Sequence, residues 1–195
     1  MNSSARTQQT NDTMSNRVCP SSHIRVLDNF LRPVLHRPKR LFGPYVKAGD
    51  KVLDIGCGGG FASIGLARLV GDDGEVVAAD IQPEMLEFTQ KRAQAAGLSN
   101  RIKLHQSNSA STGLEEDFDF ILAFWMAHET PDPSAFLEEV FSLLKPKGYF
   151  FLAEPKMHVS DQVFRDYVAQ AEKIGFTLKQ QPFVLLSRAA VLARA

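Results

Sequence analysis

The stretch Val52-Leu53-Asp54-Ile55-Gly56-Cys57-Gly58-Gly59-Gly60-Phe61 sets glycines 56, 58 and 60 directly after an apolar run and before an amphipathic one. Glycine reaches positive φ without a Cβ penalty and lets a ligand lie against the backbone, so this spacing predicts a tight strand-to-helix turn that cradles a ligand. Asp80 follows Gly56 by 24 residues, at the end of the next apolar run. A carboxylate there can accept both hydroxyls of an adenosine ribose. Two further clusters stand where later strands are expected to end. Trp125-Met126-Ala127-His128-Glu129 combines aromatic and thioether surface with an imidazole, and Glu154-Pro155-Lys156-Met157-His158 combines an acid, an ammonium and a second imidazole. An imidazole can move a proton near neutral pH, which makes His128 the candidate for that work and Glu154 the candidate for a fixed polar contact beside it.

The same residues exclude neighbouring chemistries. A dinucleotide fingerprint needs its third glycine at position 61, where this chain has Phe61, and that disfavours a nicotinamide or flavin ligand. No Lys-Ser or Lys-Thr pair follows the glycines, so a triphosphate and its metal have no holder. Cys57 inside the loop reads as a small packing residue rather than a nucleophile.

The elements that must position these groups alternate short apolar runs with amphipathic stretches, the pattern of crossover units in an α/β fold with a parallel sheet. Strands are expected at residues 51–55, 75–79, 102–105, 118–124 and 149–154, with helices at 61–70 and 83–96 between them. Phe61, Ile64 and Ala67 set the face of the first helix. The span between the strands at 102–105 and 118–124 leaves room for only a short or irregular helix. Asp132-Pro133 opens another helix carrying Phe136, Val140 and Leu144 on one face, and Lys145-Pro146-Lys147-Gly148 stops it. Ser160 caps a helix that presents Val163, Tyr167, Ala171 and Ile174 inward and ends at Gly175. The last strands, 177–181 and 189–194, have no helix between them and must form an antiparallel hairpin.

The chain has 195 residues with 22 Lys+Arg against 22 Asp+Glu, so no overall field draws it to nucleic acid. No apolar run reaches the roughly 18 residues of a membrane span. Two cysteines, Cys19 and Cys57, make neither a disulfide framework nor a metal-ligand spacing, which fits a reducing, cytoplasmic setting and no metal. Residues 1–17 read as a disordered tail. Pro33, Pro38 and Pro44 cut residues 18–46 into a helical cover with a linker, whose Cys19, His23, Arg25, Asp28, Asn29, Arg32 and Tyr45 are placed to fold over the ligand crevice. Residues 47–195 are the ligand-binding domain.

The glycine loop Val52 to Gly60, Asp80 and the closing hairpin together resemble the class I S-adenosylmethionine-dependent methyltransferases, over about residues 41–195. More loosely, the pattern is similar to that of quinone and arsenite methyltransferases. The resemblance implies a Rossmann-like three-layer sandwich whose strands run 3-2-1-4-5-7-6 with strand 7 antiparallel, and S-adenosylmethionine at the carboxyl ends of strands 1, 2 and 4. It places Asp54 and Gly56 by the methionine part, Gly58 and Gly60 in the same loop, Asp80 on the ribose and Ile81 on the adenine. Asn108 falls where the family has an acid for the adenine amino group.

Methyl transfer from a sulfonium is an in-line displacement that needs alignment and exclusion of water more than acid–base help. His128 and Glu154 are then the acceptor-side groups, and the acceptor is a small molecule. The alternative from another class is a non-catalytic S-adenosylmethionine-binding or sensor protein of the same fold. Oligomeric state leaves no signature in the sequence.

Overall fold

The computed structural model describes residues 36–115 and 117–195. Seven strands, β1 (Lys51–Ile55), β2 (Glu75–Asp80), β3 (Ile102–Gln106), β4 (Phe118–Phe124), β5 (Leu144–Pro155), β6 (Phe176–Gln180) and β7 (Ser187–Arg194), form one sheet in the order β3-β2-β1-β4-β5-β7-β6. All neighbours are parallel up to β5, and β7 runs antiparallel to both β5 and β6. The helices are α1 (Pro38–Phe42), α2 (Phe61–Val70), α3 (Pro83–Ala95), α4 (Pro133–Leu143) and α5 (Asp161–Ile174).

The two-residue strand period sorts the core into two layers. Val52, Val76, Ala78, Phe120, Leu122 and Phe151 pack with Phe42 of α1, Leu66 and Val70 of α2 and Leu86 of α3. Their neighbours Leu53, Ile55, Val77, Ile121 and Phe150 pack with Leu137 and Val140 of α4 and Phe164 and Val168 of α5. A sheet covered on both faces buries continuous apolar strands, which is why β1, β2 and β4 read as unbroken hydrophobic runs. Side chains as fully buried as Phe118, Phe120, Phe150 and Phe151 each contribute about 1.5–3 kcal/mol to this core.

The structure corrects several sequence expectations. Leu144 does not end a helix face. It opens β5 opposite Phe118, and the strand resumes at Tyr149 opposite Phe120 after an irregularity that includes Lys147 at φ 66°. Pro146 cannot extend a helix, and a buried sheet position satisfies Leu144 better. Of the residues expected to face inward on α5, Val163 is exposed, and Phe164 takes the inward place with Tyr167, Val168 and Ala171. On α2 the buried face is Ala62, Leu66, Ala67 and Val70, while Phe61 and Ile64 are half-buried. Of the N-terminal cover, residues 18–35 lie outside the described residues. α1 packs on α2, where a Cβ on Gly65 would lie 2.2 Å from Pro38 Cβ. Tyr45 does not reach the ligand crevice: it packs on Tyr149 and Phe151 and donates its hydroxyl to Gln180 at 2.8 Å.

At the amino ends of the strands Asp119 of β4 ties three elements together, accepting from Lys51 N–H of β1 at 2.9 Å and Lys145 Nζ of β5 at 2.8 Å. Burial pushes its carboxyl up, but the Lys145 and Lys51 donors outweigh this and hold it below its ordinary value. A lowered carboxyl stabilises the fold above the usual carboxylate range, and that contribution is lost as pH falls through the lowered value. Asp119→Asn is therefore expected to reduce the urea midpoint at neutral pH, with a difference from wild type that closes on acidification. A difference that stays constant into the acid range would contradict this account.

Candidate active site

The carboxyl ends of β1 and β2 are joined by a network that begins in the backbone. Gly56, Gly58 and Gly60 all have positive φ, at 66°, 52° and 79°. Cys57 N–H donates to Ala79 C=O at 3.0 Å, which stitches the loop to β2. Asp80 accepts from Gly58 N–H on one carboxylate oxygen at 2.9 Å and from Gln82 N–H on the other at 3.0 Å. Each oxygen keeps further acceptor capacity for a ligand hydroxyl. Burial raises the Asp80 carboxyl above its ordinary value, and the backbone donors of Gln82, Gly58 and Ile81 pull the other way.

The loop opens on a crevice of about 620 Å³ at the carboxyl ends of β1 to β4, the position that strand-order reversal in a doubly wound sheet provides for a ligand. Gly56, Gly58, Asp80, Ile81 and Asn108 of the expected set line it. Asp54 and Gly60 do not. Asp54 is buried behind the loop and accepts from Ser63 Oγ of α2 at 2.5 Å. Gly60 sits against Thr89 of α3, whose hydroxyl donates to Gly58 C=O at 2.9 Å. Asn108 lines the crevice, but its Oδ1 accepts from Ala110 and Ser111 N–H, each at 2.9 Å. The oxygen expected to meet an adenine amino group is thus engaged in holding its own loop. That loop is tied in turn to α4 by Glu139, whose Oε1 accepts from Thr112 N–H at 2.7 Å and from the hydroxyls of Thr112 and Ser111 at 2.6 and 2.9 Å.

Trp125 and Met126 form the wall at the end of β4. Trp125 has φ 65°, a left-handed conformation that costs a non-glycine residue of order 1–3 kcal/mol and persists only where its surroundings impose it. Here Trp125 N–H donates to Ala153 C=O at 2.7 Å and its indole N–H to Ser187 Oγ at 2.7 Å. The side chain is thereby fixed across β5 and β7. Cys57 is buried beside Thr89, and burial first, then the charges of Asp54 and Asp80, push its thiol well above its ordinary value. A thiol so held keeps its proton more firmly, which fits a packing residue in the crevice lining.

The structure brings His128 and Glu154 together, but neither is among the residues lining the crevice. Glu154 is fully buried at the end of β5. One carboxylate oxygen accepts Ala127 N–H at 2.9 Å and the other meets His128 Nδ1. The carboxylate thereby holds the 3-10 turn Ala127–Glu129, whose Glu129 does line the crevice. Burial lowers the His128 imidazole, yet the hydrogen bond and charge of Glu154, with the charge of Glu129, outweigh it and raise the group overall. Sequence reading did not find Thr89, Ser63 or Glu139, because each acts across a long sequence separation and no local pattern marks it.

The charge of the crevice decides what fits. Its ionisable lining includes Asp80, Glu129, Asp132 and Glu139, and among the described residues it contains no Lys, Arg or His. Such a wall offers no cationic side chain to a phosphate and suits a ligand that carries a ribose and positive charge. S-adenosylmethionine, with its sulfonium and ammonium, matches those acceptors.

This strand order with antiparallel β7, a glycine loop after β1 and an acid ending β2 defines a class I S-adenosylmethionine-dependent methyltransferase of Rossmann-like fold. Residues 46–183 match the family described as methyltransferase domain, and the chain belongs to it. A solved structure of an S-adenosylmethionine-dependent methyltransferase from Aquifex aeolicus is similar over 90% of this chain and 98% of that one, with a TM-score of 0.79 and 27% identity. A ubiquinone biosynthesis O-methyltransferase of Xanthomonas euvesicatoria is 33% identical over 106 residues, 54% of this chain and 43% of the relative. A ubiquinone/menaquinone biosynthesis C-methyltransferase of Marinomonas sp. is 32% identical over 126 residues, 63% of this chain and 50% of the relative. The chain spans about half the length of these curated relatives, or less. Among the described residues, no helix is long and apolar enough to cross a membrane.

Proposed function

We propose that this protein transfers a methyl group from S-adenosylmethionine to a small, flat hydroxylated acceptor of the quinol type. The observation that carries the donor half is the crevice in which Gly58 N–H donates to the Asp80 carboxylate at 2.9 Å, where a ribose would lie, and whose charged lining residues are all acidic. When bound, the sulfonium supplies an activated methyl, so the chain has mainly to orient and enclose. Asp80 accepts ribose hydroxyls, Ile81 packs on the adenine, and Gly56 and Gly58 let the ligand lie on the backbone. Asp54 acts behind the loop, through Ser63, by fixing the start of α2.

The acceptor reading draws on the relatives named for quinone biosynthesis and on the lining of Phe124, Trp125, Met126 and Phe136, a surface suited to a planar ring. Methyl transfer to oxygen and to carbon both occur among those relatives, and the aligned geometry serves either. His128 and Glu154 form the acceptor-side pair. Glu154 is the positioning residue, because it keeps the wall turn in place, and His128, held through its Nδ1 by the same carboxylate, stands beside that turn on the acceptor side.

Calorimetric titration of the full chain with S-adenosylmethionine and S-adenosylhomocysteine, followed by transfer of labelled methyl to hydroxylated benzoquinols, tests the proposal. Binding of both cofactors with incorporation into a quinol is expected. Binding of both with no transfer to any acceptor would favour a sensor, and binding of neither would remove the donor assignment.

A further inference from the structure

Beside the crevice, two imidazoles from different elements meet without any role in holding the cofactor. His128 stands on the 3-10 turn Ala127–Glu129, and His158 in the turn after β5. His158 N–H and Val159 N–H both donate to Pro155 C=O, at 3.1 and 2.9 Å, and the buried Val159 anchors that turn in the core. His128 Nε2 and His158 Nδ1 lie 3.4 Å apart, with ring centroids 5.4 Å apart and planes at 65°.

We propose that His128 and His158 form a binding site for a divalent transition-metal ion, backed by the buried Glu154 carboxylate. Two imidazole nitrogens bound at about 2.0–2.1 Å to one tetrahedral ion lie roughly 3.3–3.4 Å from each other, the separation this pair has before any ion arrives. Metal-binding histidines use their second ring nitrogen to donate to a carboxylate, which fixes tautomer and orientation and raises ligand basicity. His128 can meet that condition: its Nδ1 is engaged by Glu154, and with the ring proton on Nδ1 the Nε2 lone pair faces His158 Nδ1, with which it is in hydrogen-bond contact. Glu154 is held independently by Ala127 N–H, so the backing group does not depend on the ion. Glu154 touches His128 and Glu129 follows it in the same turn, so two carboxylates adjoin the place where a cation would bind.

No group of three metal-ligating side chains occurs among the described residues, so the protein supplies two ligands. His158 is exposed, and the remaining coordination positions open on solvent for water or a polar ligand group. A site of imidazoles and water is chemically suited to Co²⁺, Ni²⁺, Cu²⁺ or Zn²⁺ rather than Mg²⁺ or Ca²⁺. An ion at this place can lower the pKa of a hydroxyl bound to it, chemistry that an imidazole nitrogen alone does not supply.

The test uses the full chain, stripped with a chelator and titrated with Co²⁺ while visible absorption is recorded, then with Zn²⁺ as competitor. One equivalent of Co²⁺ with d–d bands, displaced by Zn²⁺, is expected. His158→Ala, at an exposed position that cannot endanger the core, is expected to abolish saturable uptake. Glu154→Gln, checked for folding by circular dichroism, is expected to weaken it by about 10–100-fold. Asp80→Ala is expected to leave Co²⁺ binding unchanged, which separates this site from the cofactor crevice. Absence of saturable binding, or binding undiminished in His158→Ala, would overturn the proposal.

Discussion

Asp80→Ala is expected to weaken S-adenosylmethionine by at least about tenfold, and by roughly a hundredfold if both ribose hydroxyls lose their acceptor, because each hydrogen bond to a charged group contributes about 1.5–3 kcal/mol. The carboxylate is already aligned by Gly58 and Gln82 N–H, so its orientation costs the ligand nothing. Burial that raises its pKa gives this interaction a pH limb: affinity falls as pH is lowered through the raised value, and the alanine variant loses that limb. The same shift acts with the opposite sense on the unliganded fold. A carboxyl raised above its unfolded value contributes stability that is full below the usual carboxylate range and lost as pH rises through the raised value. Relative to wild type, the unliganded variant is therefore expected to gain stability as pH rises from acid to neutral. Calorimetry across pH with urea unfolding in parallel reads both effects, and unchanged affinity at neutral pH would remove Asp80 from the site.

Gly60→Ala is expected to strike the fold rather than the ligand. Its φ of 79° costs an L-residue about 1–2 kcal/mol. A methyl there would lie 2.7 Å from Thr89 Oγ1 and 2.8 Å from Thr89 Cγ2. Thr89 is fully buried and its hydroxyl holds Gly58 C=O, so it cannot yield without releasing the loop. Overpacking of this kind costs about 1–3 kcal/mol, which brings the expected loss to roughly 2–5 kcal/mol in urea unfolding. Gly58→Ala supplies the contrast. Its φ is also positive, at 52°, but a Cβ there meets nothing within 4 Å. That methyl would occupy space at the crevice, so affinity should fall while stability changes by only about the conformational cost. Equal stability losses in the two variants would mean that Thr89 is not the buttress of the loop.

Much of this architecture could be read from local pattern. Strands buried on both faces announce themselves as apolar runs, and a turn that demands positive φ announces itself as glycine, so β1, the loop, β2 and Asp80 were legible to within a residue. The errors fall where tertiary partners decide. Leu144 continues the α4 spacing, and only its pairing with Phe118 makes it a strand residue. Val163 and Phe164 both fit a helical stripe, and the neighbouring layer selects Phe164. Asn108 sits at the expected position, but the turn made by Ala110 and Ser111 engages its oxygen. His128 and Glu154 were each visible as chemistry-bearing residues, while the fact that they bind one another depends on β4 and β5 being adjacent.

The place of β7 in the sheet has a consequence for biosynthesis. β7 follows β6 in the sequence, yet it lies between β5 and β6, paired with β5 from Tyr149↔Ala193 to Pro155↔Ser187. During vectorial synthesis β5 therefore waits with one edge of backbone donors and acceptors exposed until residues 187–194 leave the ribosome tunnel, and its Phe150-Phe151-Leu152 run makes that edge sticky. Trp125, whose indole is anchored on Ser187 of that same strand, cannot take its final pose before then. The wall of the crevice is thus completed only when the sheet is closed, so a nascent or truncated chain has no finished binding site to display.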